Sequence, residues 1–230
     1  MMKMNLLKRI AILGIIGLFG WCSATSSMAG EKRVAIVYSE TTVSRYWDEF
    51  GYSQLFMAMQ NQCAMAGVPY DLLGENDLTD PVKLARYNVL VAPAFYNVPA
   101  AKRTAILSAL KAATSNGLNI VTSGWFMALD ETGSVHSDFV QVLDSMIGVN
   151  SVATYSGVAA DVIAATTTHP AMPGYTSGQV IRKYPKMWSN TFAPGTGADP
   201  GATTTLCKYK IGTKTDSAII AAQPSPLAPS

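Results

Sequence analysis

Residues 87–122 read YNVLVAPAFYNVPAAKRTAILSALKAATSNGLNIVT, and the order of periods inside them decides the fold. Val89–Ala94 is a continuous apolar run, as expected of a strand covered on both faces, and Pro93 marks its end. Pro99 stands where a helix can begin with φ already set. Ile106, Ala109, Leu110 and Ala113 then share one helical stripe, which Asn116-Gly117 closes. Leu118–Thr122 is short and apolar again. Strand, crossover helix and strand in so few residues specify a parallel pair with a right-handed crossover.

Working upstream, Arg33–Tyr38 (RVAIVY) reads as a buried first strand. From Trp47 to Ala66 the residues Tyr52, Phe56, Met59, Cys63 and Ala66 recur every three or four positions, an amphipathic helix that Gly67 ends. Pro69–Leu73 is a second strand, and Leu78–Tyr87 reads as a polar crossover. Downstream, Phe139, Val142, Leu143 and Met146 give a helix over Phe139–Ile147 that stops at Gly148. Beyond Asn150 the texture turns to Ala, Thr, Gly and Ser, with short runs at Gln179–Lys183, Thr203–Tyr209 and Ser217–Ala222 that read as antiparallel strands. Thr191–Gly201 reads as a loop, and Gln223–Ser230, with three prolines in eight residues, as a disordered tail. The expectation is an α/β protein with a doubly wound, mostly parallel sheet and a small β-rich C-terminal extension.

Composition bounds the partners. The 230 residues hold 17 Lys and Arg against 15 Asp and Glu, without the basic excess of a phosphate-binding surface, so nucleic acid is not expected. Two histidines and three cysteines cannot assemble a zinc site of the usual spacing, and neither phosphate-binding glycine motif follows a strand; no metal or cofactor is expected. Lys3, Lys8 and Arg9 precede the apolar run Ile10–Trp21, and Ser27-Met28-Ala29 has the small-x-small form of a signal peptidase site. The run is shorter than the roughly twenty residues that span a bilayer. Residues 1–29 are therefore read as a cleaved export signal, leaving a periplasmic or extracellular protein with no membrane span. The remainder carries 14 basic and 15 acidic residues and two cysteines, Cys63 and Cys207, whose pairing sequence leaves open.

Three segments in order resemble the class I glutamine-amidotransferase-like superfamily, and within it the non-catalytic branch typified by the trimerisation domain of family 42 β-galactosidases. YNVLVAPAFYNV (Tyr87–Val98) is similar to that branch's strand ending in an Ala-Pro-x-x-Tyr turn. LNIVTSGWFMALDETG (Leu118–Gly133) is similar to its strand, Ser-Gly turn and following acid, and Phe139–Tyr155 resembles the next helix and outgoing strand. The resemblance implies a flavodoxin-like domain over residues 30–222, with its core at 30–150 and the extension at 151–222, and a binding or assembly role. It also implies a Gly-rich turn, a strand and a closing helix where QPSPLAPS stands, so a truncated or frameshifted end is expected to leave a sheet edge or core face uncovered.

Catalytic relatives place a cysteine in the turn where this chain has Ser123-Gly124-Trp125, so thiol chemistry is not expected. A hydrolase would need Ser123 as nucleophile, His136 as base and Asp130 or Glu131 as orienter, without the usual nucleophile elbow. The strand-end acids Glu40, Asp130 and Glu131 could instead meet as a glycosidase pair. More rings than acids follow the strands: Tyr38, Tyr46 and Trp47 after the first, Phe95 and Tyr96 after the third, Trp125 and Phe126 after the fourth. Aromatic faces with a few polar groups suit stacking on sugars, although such rings also pack loop to sheet. The expected ligand rim is Glu40, Tyr46, Trp47, Tyr96, Ser123, Trp125 and Asp130. The expected partners are a carbohydrate or other small molecule, a protein, or a second copy of the chain.

Overall fold

The computed structural model describes residues 33–45, 48–166, 168–194 and 203–222. The expected export signal, Tyr46, Trp47, residues 195–201 of the expected loop and the expected disordered tail therefore lie outside the described residues.

Four parallel strands, β1 (Val34–Val37), β2 (Tyr70–Leu73), β3 (Val89–Ala92) and β4 (Asn119–Thr122), form one sheet in the order β2-β1-β3-β4. Val34 lies opposite both Tyr70 and Val89, and Val91 opposite Val121. The alternation along each strand loads both faces. Ala35, Val37, Leu90 and Ala92 enter the larger apolar cluster, while Ile36 packs with Tyr52, Phe56 and Ala94 on the other side.

Helices supply the rest of both cores. After α1 (Glu40–Arg45), α2 (Glu49–Met65) begins where the Asp48 carboxylate accepts the Gly51 N–H at 2.6 Å, and it ends at Gly67, whose φ of +65° suits a residue without Cβ. Leu78–Tyr87 is not the polar crossover that its composition implied. It holds the end of a 3-10 turn (Asp77–Thr79) and α3 (Pro81–Leu84), and Leu78 and Leu84 are fully buried. The charges of Asp80, Lys83 and Arg86 mask two anchoring leucines in that stretch. Helix α4 (Ala100–Ser115) buries Ile106, Ala109, Leu110 and Ala113, the stripe read from sequence. Helix α5 (Phe139–Val142) widens into a π turn over Leu143–Ile147, so the expected regular helix takes an extra residue per turn before Gly148 stops it.

Strand β5 (Val149–Ala164) follows at once, and with β6 (Val180–Pro194), β7 (Thr203–Ile211) and β8 (Lys214–Ala222) it closes a small antiparallel barrel in the order β5-β6-β8-β7. The three short runs expected there are antiparallel strands, but longer, and Thr191–Pro194 continues β6 instead of opening a loop. Backbone pairing extends the strands through residues of low β-propensity. Register shifts interrupt the β5–β6 pairing, and the one between Ser156 and Val158 absorbs Gly157 at φ +65°. The barrel's own apolar cluster is small: Ala164, Met172, Leu206 and Cys207, with Val162, Ile181, Ala218 and Ala221 partly buried against it, while Ala160 and Met187 are buried elsewhere on its strands. Cys63 sits with the α2 cluster and Cys207 in the barrel, and both are free thiols. Among the described residues no helix is long and apolar enough to cross a membrane. Mixed α/β architecture is thus established, with the antiparallel part a closed barrel.

Candidate functional site

The order β2-β1-β3-β4 reverses direction between β1 and β3, and ligands of open α/β sheets bind beyond the carboxyl ends of strands at such a point. Here the point is filled by polar side chains of the chain itself. Ser39, Thr42 and Asn97 are 0 % exposed and Glu75 6 %. Ser39 is the cap of α1: its Oγ accepts the Thr42 N–H at 3.1 Å and donates to Glu75 Oε1 at 2.9 Å. Glu75 also accepts the Thr41 N–H at 2.9 Å and the Thr41 hydroxyl at 2.8 Å. Thr42 Oγ1 accepts the N–H groups of Tyr96 and Asn97 at 3.1 and 3.0 Å. One network thereby ties the ends of β1, β2 and β3. Beneath it the Tyr52 hydroxyl accepts the Ser39 N–H at 3.0 Å, and burial pushes its pKa up to about 12.

None of Ser39, Thr42, Glu75 and Asn97 belongs to the rim expected from sequence. The available signal was positional, since Ser39, Glu75 and Asn97 each stand within a few residues of a strand's end, but single polar residues there carry no pattern.

The described residues of the expected rim stand on the elements around this plug. Glu40 is exposed in the first turn of α1. Tyr96 is half-buried across Gly124, where an added Cβ would lie 2.5 Å from the Tyr96 hydroxyl and where φ is +61°. Trp125 packs against Phe139 with centroids 6.2 Å apart, and its Nε1 is buried without a hydrogen-bond partner. Tyr38 meets Tyr52 and Phe56 edge-on at 5.3 and 5.1 Å, and Phe95 meets Phe126 at 5.9 Å, so these rings pack loop to helix and loop to loop.

The catalytic candidates are engaged elsewhere. The Ser123 hydroxyl donates to the Pro93 carbonyl, and no hydrogen bond joins it to His136, whose Nε2 is buried without a hydrogen-bond partner. His169, the other histidine, accepts the Ala171 N–H at Nδ1. Asp130 Oδ1 accepts the Thr132 hydroxyl at 2.6 Å and the N–H groups of Thr132 and Ser134 at 2.8 and 2.9 Å, which holds its carboxyl below the usual carboxylate range. Glu131 accepts the Ala100 N–H at 2.7 Å, capping α4. Asn97 Nδ2 donates to the Asp130 carbonyl at 2.8 Å and Arg45 to that of Thr132, so the β4–α5 loop is fastened to the plug. Beside it Arg103 Nη1 lies 2.8 Å from the Asp138 carboxylate, lowering the pKa of that acid. Among the described residues no group of three His, Cys, Asp or Glu is placed to hold a metal.

A four-stranded parallel sheet with a filled switch point, followed by an antiparallel barrel, defines the class of protein. Solved structures share the fold. Gan42B, a GH42 β-galactosidase from G. stearothermophilus, superposes with a TM-score of 0.56 at 18 % identity over 79 % of this chain and 24 % of its own. A ThuA-like protein from Bacteroides uniformis superposes with a TM-score of 0.57 at 12 % identity over 87 % of this chain and 81 % of its own. The chain thus spans about a quarter of the β-galactosidase's length. No family model and no curated protein matches the sequence.

Proposed function

We propose that this chain is an exported, non-catalytic amidotransferase-like domain on a flavodoxin-like sheet, with a binding or assembly role in a carbohydrate-processing setting. The observation that carries this reading is the plug: the position where α/β enzymes open a crevice holds buried, mutually bonded Ser39, Thr42, Glu75 and Asn97. Ser123 supports it too, because a hydroxyl donated to a carbonyl and unbonded to any base is not activated as a nucleophile. The expected export signal of residues 1–29 supports the compartment in this reading, and the fold shared with a GH42 β-galactosidase supports its carbohydrate setting.

Thermal unfolding against a panel of neutral oligosaccharides tests the reading, since a ligand of the native state raises the transition temperature. A sugar that stabilises the chain, with the effect lost in Trp125→Ala and kept in Ser123→Ala, is the expected result. Ester or glycoside turnover that Ser123→Ala abolishes would replace the reading with a hydrolase.

A further inference from the structure

Charge is divided unevenly along the fold. Residues 33–148 carry seven Lys and Arg against eleven Asp and Glu, whereas the described residues of 149–222 carry six against two. Of those two acids, Asp216 accepts the Tyr155 hydroxyl at 2.6 Å, and Asp161 stands opposite both Lys183 and Lys210 in the strand register. None of the six cations forms an ion pair with a described residue.

Two of these cations accompany exposed rings. Trp188 is 64 % exposed with Lys186 Nζ 5.2 Å from its ring centroid, and Tyr184 is 39 % exposed with the Arg182 guanidinium at 5.7 Å. The β5 bulge seats the first pair, because a Cβ on Gly157 would touch Lys186 at 3.4 Å and approach Trp188 at 3.9 Å. Directly alongside, Asp161, Lys183, Tyr184, Pro185 and Lys210 line a shallow groove of about 500 Å³. A tryptophan left in solvent on a paired strand, with a lysine over its ring, offers stacking and charge together.

We propose that this face of the barrel binds an anionic polysaccharide, whose ring C–H faces stack on Trp188 and Tyr184 while its carboxylates meet Lys183, Lys186 and Lys210. The proposal rests on the carbohydrate reading above and names its ligand class and a second surface for it. An acidic glycan fits better than a neutral one because two lysines outnumber the single acid, Asp161, along the groove, and Lys186 adds a third cation on the same strand.

Calorimetric titration of the full chain with polygalacturonate, neutral dextran and single-stranded oligo(dT) tests it. Polygalacturonate should bind, weaken as salt rises, and lose about tenfold or more in affinity in Trp188→Ala and again in Lys183→Gln/Lys210→Gln, with the unfolding temperatures of both variants unchanged. No binding of polygalacturonate, binding indifferent to both variants, or oligo(dT) bound as tightly overturns the proposal. If a neutral oligosaccharide acts through Trp125 while polygalacturonate fails, the present inference falls and the earlier reading stands. If no glycan binds anywhere, both fall.

Discussion

Tyr52 shows how one buried side chain can fix the behaviour of the switch point. Its hydroxyl is the acceptor for the Ser39 N–H, so Tyr52→Phe leaves a buried donor unmet and should cost about 1–3 kcal/mol in urea unfolding. The same residue sets an alkaline limit. Its folded pKa of about 12 lies above the ordinary 10.0, so its contribution is complete below pH 10.0 and is lost as pH climbs through about 12. That loss is on the order of 3 kcal/mol, and in Tyr52→Phe the alkaline step in stability should be missing. An unchanged alkaline profile in the variant would show that another group controls it.

Among the elements, α4 and the β4–α5 loop behave as a fastened pair, through the Glu131 cap and the Arg103–Asp138 contact. Asp138 has its pKa lowered by Arg103, so the contact stabilises the fold above about pH 3.8 and is lost as pH falls below it. Asp138→Asn should flatten the acid limb of stability, with a small effect at neutral pH because the carboxylate is half exposed; an acid limb identical to wild type would place the sensitivity elsewhere. The elements themselves were largely legible in sequence. Strands β1 to β4 and helices α2 and α4 stand where RVAIVY, PYDLL, VLVAPA, LNIVT and the two apolar stripes put them, because β1, β3 and α4 bury regular apolar positions, while β4 keeps only Ile120 against the core. The barrel was legible only in fragments, since its long strands owe their extent to backbone pairing across bulges and not to an apolar period. The candidate site was least legible. Aromatic and acidic residues draw the eye after a strand, yet Ser39, Thr42 and Asn97 occupy the switch point, and what marks them is burial, which only the folded chain reveals.

For the molecule as a whole, the uneven cores predict uneven protection. The sheet is packed on both faces by two clusters that include Leu90, Leu110 and Phe56, whereas the barrel's own apolar cluster centres on the smaller set Ala164, Met172, Leu206 and Cys207. Amide hydrogen exchange should therefore be slower in β1 and β3 than in β5 to β8, and equal protection throughout would mean that the two parts open as one unit. The outer edge of β4 bears on what the protein can tolerate in concentrated solution. No described strand pairs with that edge, and Val121 beside it is 54 % exposed. Such an edge can recruit a foreign strand, so the same four residues that complete the sheet also make it vulnerable to self-association during storage. Val121→Lys should lower turbidity on concentration while leaving the melting temperature close to wild type, turning a templating edge into a repelling one.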